Sequence, residues 1–283
     1  MPKNVAVIGF GYVGRAVSNF LANKYVVNVF DPFVSDDVPE FKNPNIKRIT
    51  DKNVINNLCE FAVVSVPTPQ GADGSVDLSL IEEVLSWLAT PLIMIKSTVP
   101  PGTVKKLKEK TGKRIVFSPE YIGEGNYFIP FWKGYPDPND MRKHEFMIIG
   151  GDRKDTSPAL EYFKLIYGAD VRFVQTDSTT AELCKYMENS FLATKVTFCN
   201  EFFEIANSLG VDYDELREMW LLDGRIGRSH TAVFKNKRGF SGKCLPKDVN
   251  GIVKRSEENG YAPELLKSVL KVNEEFVKKN PKQ

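Results

Sequence analysis

The sequence predicts a doubly wound, parallel α/β sheet followed by an all-α region built on one long central helix. Two observations carry this prediction. Up to about Gln175, short apolar segments rich in β-branched residues alternate with segments of helical spacing. That alternation is the pattern of a parallel sheet covered on both faces. From Thr179 to Leu209 the chain then runs without a proline or a glycine, well beyond the ordinary helix length. The expected division is residues 1–176 and residues 177–283.

The expected strands are Val5–Ile8, Val26–Phe30, Phe61–Val66, Leu92–Ile95, Ile115–Phe117, Phe146–Ile149 and Val171–Val174. Helical spacing fills most of the gaps, for example at Asp77–Leu88 and Thr103–Lys110. Asn126–Glu145 breaks the alternation: it is aromatic, proline-rich and without a clear period, and reads as a long loop. The long helix stops at Gly210. Asp212–Leu222, Leu245–Asn259 and Pro263–Lys279 also read as helices, the last with its proline placed early.

With 283 residues and 42% hydrophobic content, the chain can bury two cores. Lysine and arginine number 38 against 36 acidic residues, a net charge of +2 that gives no reason to expect nucleic acid or a membrane as partner. Cys59, Cys184, Cys199 and Cys244 form no CxxC pair, and His144 and His230 are the only histidines, so no metal site is expected. Scarce cysteines fit reduced thiols in the cytoplasm. Val5–Ile8 is too short for a signal-peptide core, and no long apolar span follows.

Chemistry concentrates in a series of loops. Gly9-Phe10-Gly11-Tyr12-Val13-Gly14 follows the first strand and opens a helix. Gly9 permits the tight turn, Gly11 lets a pyrophosphate approach the backbone, and Gly14 allows close helix–strand packing. Asp31, at the end of the next strand, is placed to bind both ribose hydroxyls, which favours NAD over NADP. This is a Rossmann-type fingerprint; the plainer alternative is a glycine turn needed only for packing. Pro67 and Thr68 in one loop, and Thr98 in Lys96–Thr103, follow predicted strands and should face the same cleft, unless they are ordinary loop punctuation.

Ser118-Pro119-Glu120-Tyr121-Ile122-Gly123-Glu124-Gly125 brings two carboxylates to that sheet edge, as a base on water or as solvated glutamates. Lys185 and Asn189 lie four apart on the long helix, hence on one face, where they would hold an oxyanion or simply face solvent. Cys184 and Cys199 read as small buried hydrophobes. Arg225 sits in a helix-breaking turn, as a clamp for a carboxylate or phosphate or as a surface arginine. Cys244 lies in the loop Gly239-Phe240-Ser241-Gly242-Lys243-Cys244-Leu245-Pro246-Lys247-Asp248. Close backbone, nearby cations and a carboxylate suit a nucleophile.

The ordered series GFGYVG, SVPTP, STVPPGT, SPEYIGEG, KYMENSFLATKVTFCNE, DGRIG and GFSGKCLPKD resembles the UDP-glucose/GDP-mannose dehydrogenase family, from Gly9 to about Asn273. The resemblance implies a four-electron oxidation of a nucleotide sugar by NAD, most simply UDP-glucose to UDP-glucuronate, through a thiohemiacetal and a thioester on Cys244. It implies that Lys185 and Asn189 stabilise oxyanions and that Asp248 positions or activates water. Glu120 would assist thioester hydrolysis, with Thr98 and Glu124 near the nicotinamide. Tyr121, Ile122, Gly242 and Arg225 would contact the sugar nucleotide, Arg225 in the partner subunit's site. It also implies a homodimer through helix 179–209.

Three departures accompany the resemblance. The family's further C-terminal α/β domain is not in this sequence. Ser241 stands where the family usually has glycine, and Lys243 where it often has a small or aromatic residue. Asn126–Glu145 looks expanded, as a substitute wall for the substrate. Two other readings stay open. One is a two-electron β-hydroxyacid dehydrogenase, which would need no thiol. The other is a non-catalytic NAD-binding homologue that has lost the nucleotide domain.

Overall fold

A computed structural model describes residues 3–122 and 140–281. The elements are β1 (Asn4–Ile8), α1 (Tyr12–Leu21), β2 (Val26–Phe30), β3 (Ile46–Arg48), α2 (Lys52–Leu58), β4 (Phe61–Val64), α3 (Ser79–Trp87), β5 (Leu92–Ile95), α4 (Thr103–Thr111), β6 (Ile115–Phe117), β7 (Phe146–Gly150), α5 (Arg153–Tyr167), β8 (Arg172–Thr176), α6 (Ser178–Ser208), α7 (Tyr213–Trp220), α8 (Leu245–Glu258) and α9 (Glu264–Lys278). The chain divides into two compact units, Met1–Pro69 with Val76–Lys185, and Gln70–Ser75 with Tyr186–Gln283.

In the first unit the described strands form one eight-stranded sheet in the order β3-β2-β1-β4-β5-β6-β7-β8. The strand sequences explain why it is covered on both faces. Val5 and Val7 of β1 enter one apolar cluster, together with Phe61, Val63, Leu92 and Met94. Their neighbours Ala6 and Ile8 enter the other, with Ala62, Val64, Ile93 and Ile95. Successive side chains point to opposite faces, so a continuous apolar run feeds two layers at once. Each such valine, leucine or isoleucine contributes about 1.5–3 kcal/mol on burial. Asn28 interrupts β2 and is buried, but its amide donates to Asn4 Oδ1 at 3.1 Å.

The predicted fold class is borne out, with one change in the sheet. All neighbouring strands pair in parallel except β6 and β7, which are antiparallel through Phe117 and Gly150. Between β6 and β7 the described residues carry only a 3₁₀ turn, Met141–Lys143, where a parallel return would need a full crossover. The sequence also hides β3, whose Ile-Lys-Arg is too short and charged to read as a strand; both traits suit a sheet edge. The Asn126–Glu145 loop lies mostly outside the described residues.

The second unit is helical. α6 is 31 residues long; its start, up to Lys185, belongs to the first unit and the rest to the second. It begins with Asp177 accepting from the Thr180 N–H at 2.9 Å and ends before Gly210, at φ +69°. Asp212 caps α7 by accepting from the Glu215 N–H. α8 and α9 pack through Val249, Val269, Leu245, Leu266 and Leu270 around Ala193 and Phe240.

Candidate active site

In the first unit the fingerprint lies at the point where strand order reverses, between β1 and β4, the expected ligand crevice of a doubly wound sheet. Gly9 has φ +89°, and a Cβ there would stand 2.8 Å from the Ser65 carbonyl oxygen. A Cβ on Gly14 would collide with the Gly9 carbonyl. These two glycines let the loops after β1 and β4 and the start of α1 touch backbone to backbone. Gly11 differs: it caps α1, is exposed, and a Cβ there would meet nothing within 4 Å. Open space before a helix N-terminus fits a phosphate group. Tyr12 is exposed and Val13 is packed against the core.

Asp31 accepts the Phe10 N–H at 2.7 Å on one oxygen and the Phe33 N–H at 2.8 Å on the other. Its carboxylate is thereby fixed beside the glycine loop. Pro67 is exposed; Thr68 is buried and donates to the Thr98 carbonyl at 2.9 Å. Glu182 on α6 is fully buried and accepts the N–H groups of Gly102 and Val104. It therefore neutralises the N-terminus of α4 and fastens the loop that carries Thr98.

Glu120 is buried against Lys96, with Nζ 3.1 Å from Oε2. Its other oxygen accepts the N–H groups of Tyr121 at 2.7 Å and Ile122 at 2.9 Å. Burial alone would raise the Glu120 pKa, but the Lys96 charge and these bonds outweigh it and hold the carboxyl below the ordinary range. Lys96 was not singled out from sequence; a lysine directly after an all-apolar strand was the available signal. Tyr121 places its ring 5.1 Å from Lys185 Nζ and its hydroxyl 3.8 Å from Cys184 Sγ. Glu124 lies outside the described residues.

In the second unit Cys244 is the N-cap of α8, and its carbonyl accepts the Asp248 N–H at 2.9 Å. The helix dipole favours an anion at that position. Asp248, one turn on, is buried; Asn189 Nδ2 donates to its Oδ2 at 2.5 Å, and Lys247 Nζ is 2.7 Å from its Oδ1. Gly242 is exposed at φ +91°. Arg225 is 88% exposed and paired with Asp223. Its turn is latched by Lys195, whose Nζ donates to the carbonyls of Ile226 at 2.9 Å and Gly227 at 2.7 Å.

The other cysteines sort by burial. Burial pushes the Cys59 thiol up to about 11 and also raises Cys199, so both are inert hydrophobes. Cys184 is only half-buried. No group of three or more histidine, cysteine, aspartate or glutamate side chains among the described residues could hold a metal. No described helix is long and apolar enough to cross a membrane.

Residues 23–169 match the model of the NAD binding domain of the UDP-glucose/GDP-mannose dehydrogenase family, and residues 179–275 match the model of its central domain. The UDP-glucose 6-dehydrogenase TuaD of Bacillus subtilis is 28% identical over 96% of this chain and 63% of its own length. The UDP-glucose 6-dehydrogenase of Rickettsia bellii is 34% identical over 76% of this chain and 49% of its own. The chain thus spans about half to two thirds of these relatives. A solved UDP-glucose dehydrogenase from Pyrobaculum islandicum superposes with a TM-score of 0.81 at 28% identity, covering 97% of this chain and 68% of that one. The matched N-terminal model gives NAD as the cofactor. Together the two model matches take in most of the sequence, and the chain belongs to the UDP-glucose/GDP-mannose dehydrogenase family.

Proposed function

We propose that this protein is an NAD-dependent nucleotide-sugar 6-dehydrogenase that oxidises UDP-glucose to UDP-glucuronate through Cys244. The observation that carries the reading is Cys244 at the head of α8, one turn from a buried aspartate that also holds Asn189. A single alcohol oxidation needs no such nucleophile. Residues 1–176 would bind NAD through Gly9, Gly11, Tyr12, Val13, Gly14, Asp31, Pro67, Thr68, Thr98 and Glu124. Residues 177–283 would carry the nucleophile.

When bound, two molecules of NAD in succession would supply the oxidant, one for the alcohol and the next for the covalent intermediate. The residues of the chain account for the rest. As the first hydride leaves, the hydroxyl proton passes to solvent through a base, giving the aldehyde. The Cys244 sulfur adds to the aldehyde carbon, and a proton goes to its oxygen, giving a thiohemiacetal. Lys185 and Asn189 steady the charge on that oxygen. Loss of the second hydride and the hydroxyl proton leaves a thioester. Water, oriented by Asp248, attacks the thioester carbon; the C–S bond breaks, and carboxylate and free thiol result. Glu120, kept ionised by Lys96, would assist the hydrolysis as a proton acceptor, though the same cation weakens it as a base. Tyr121, Ile122 and Gly242 would line the sugar side.

The protein acts in the cytoplasm as a homodimer in this reading. Met187, Phe191, Phe198, Phe202 and Ile205 leave α6 with a largely apolar exposed side, which supports pairing through that helix. Arg225, exposed and oriented by Asp223, would then reach the partner's substrate.

The test is stoichiometric. With NAD and UDP-glucose, two NADH should form per sugar consumed. Cys244→Ser should stop the reaction before free acid appears. One NADH per substrate, with a hydroxyacid preferred, or full activity in the serine variant, would refute the thioester route.

A further inference from the structure

The cysteine loop is held by a device that its own sequence does not contain. Three consecutive backbone N–H groups each point at an asparagine side-chain oxygen: Arg238 at Asn280, Gly239 at Asn200 with 3.1 Å, and Phe240 at Asn273 with 2.7 Å. Two of these asparagines also return a bond. Asn273 Nδ2 donates to the Phe240 carbonyl at 2.9 Å, and Asn280 Nδ2 to the Arg238 carbonyl at 3.1 Å. A carboxamide presents an acceptor and a donor side by side in this way. The Arg238 side chain reinforces the grip, with Nε donating to Asn200 Oδ1 at 2.7 Å and the guanidinium lying 4.4 Å from the Phe203 ring.

Asn273 is closest in sequence to the nucleophile's side of the loop. It is buried on α9. Gly239, at φ +68°, lies so near that a Cβ there would stand 2.5 Å from Asn273 Oδ1. The Phe240 ring is buried with Val249 of α8 and Val269 of α9. Beyond Phe240, the side chains of Ser241 and Lys243 are exposed, Gly242 is open, and the backbone is next fixed where the Cys244 carbonyl accepts from Asp248. A span of only three residues therefore joins a clamped point to the reactive sulfur.

We infer that Asn273 is a positioning residue for the nucleophile, fixing Phe240 and through it the placement of Cys244. This rests on the nucleotide-sugar reading above. An error of about 1 Å in a reacting group costs on the order of 100-fold in rate. Here the loss should fall on capture of the aldehyde, the step that uses the sulfur.

Asn273→Asp keeps the size and the acceptor but sets a carboxylate oxygen against the Phe240 carbonyl. With NAD and UDP-glucose, kcat for carboxylate formation should fall by about 100-fold while KM for the sugar changes little. NADH per carboxylate should rise above two, because aldehyde escapes and is trapped by added semicarbazide. A residue that merely stabilises the fold would lower the active fraction and leave that ratio at two. A ratio of two in the variant, whatever its kcat, overturns the inference. Gly239→Ala attacks the same clamp from the loop side and should raise the ratio too; it decides the matter if the aspartate variant does not fold. Amide hydrogen exchange on the unmodified protein gives an independent reading: Gly239 and Phe240 should be protected, and Ser241 to Lys243 should not. Phe240 exchanging as fast as Lys243 would sink the clamp. If the unmodified protein makes no NADH from UDP-glucose, the substrate reading fails, and the exchange pattern alone judges the clamp.

Discussion

Two glycine loops serve the proposed chemistry, and they are held in opposite ways. In the Gly9–Gly14 loop the glycines press on backbone: the Ser65 carbonyl beside Gly9, and the Gly9 carbonyl beside Gly14. In the Gly239–Gly242 loop, Gly239 presses on the Asn273 side chain and Gly242 on nothing. The first loop follows from its own spacing and the sheet beneath it. The second is grafted onto side chains that lie 33 and more residues away. The loop at Ser118–Ile122 belongs with the second kind, because the Glu120 carboxylate holds the N–H groups of its own loop and Lys96 holds the carboxylate.

The largest effect should come from breaking a side-chain anchor. Lys96→Met leaves Glu120 buried without its cation and should cost about 3–5 kcal/mol, measured by urea unfolding at pH 7. The pH dependence fixes the cause. In the unmodified protein the Glu120 pKa is lowered, so its contribution is present above the ordinary carboxylate value and is lost as pH falls through the lower folded value. In the variant, burial is no longer opposed by a cation and the carboxyl would protonate readily. The stability gap between the two should therefore narrow from pH 7 towards pH 4. A constant gap would remove Glu120 from the explanation.

Next comes the backbone contact. Gly14→Ala should destabilise by about 1–3 kcal/mol through overpacking and abolish NAD binding; calorimetric titration and unfolding read the two losses separately. The smallest stability effect belongs to Gly11→Ala, within about 0.5 kcal/mol in the free protein, since the added methyl meets nothing. NAD affinity should nevertheless fall if Gly11 faces the cofactor as proposed, because the methyl would crowd the phosphate. If both alanines weakened the free protein equally, the distinction between a packing glycine and a ligand-facing glycine would collapse.

The same contrast explains what could be read from the sequence. Seven of the eight described strands, the long helix and the glycine fingerprint were legible because each is a local pattern: a short continuous apolar run, an unbroken run to Gly210, and glycines at fixed offsets. The pairing of β6 with β7 was not, because strand direction depends on a connection that carries no period. Asn189 and Asp248 could be named separately, but their hydrogen bond joins positions 59 residues apart. Asn273 did leave a trace: it is an amide on the helix face otherwise made by Leu266, Val269, Leu270 and Phe276. A polar residue at a core position asks for a partner, though the sequence does not say which.

One property of α6 remains. Along its part in the second unit, Asn189 meets Asp248, and Lys195 latches Ile226 and Gly227. These partners come from two different parts of the chain, yet the helix indexes them like cams on a shaft. Adding or deleting one residue between Asn189 and Lys195 would turn the second cam against the first by about 100°. Substitutions on its exposed side can accumulate over generations, whereas a single-codon insertion or deletion in this stretch would mistime all of the downstream contacts at once.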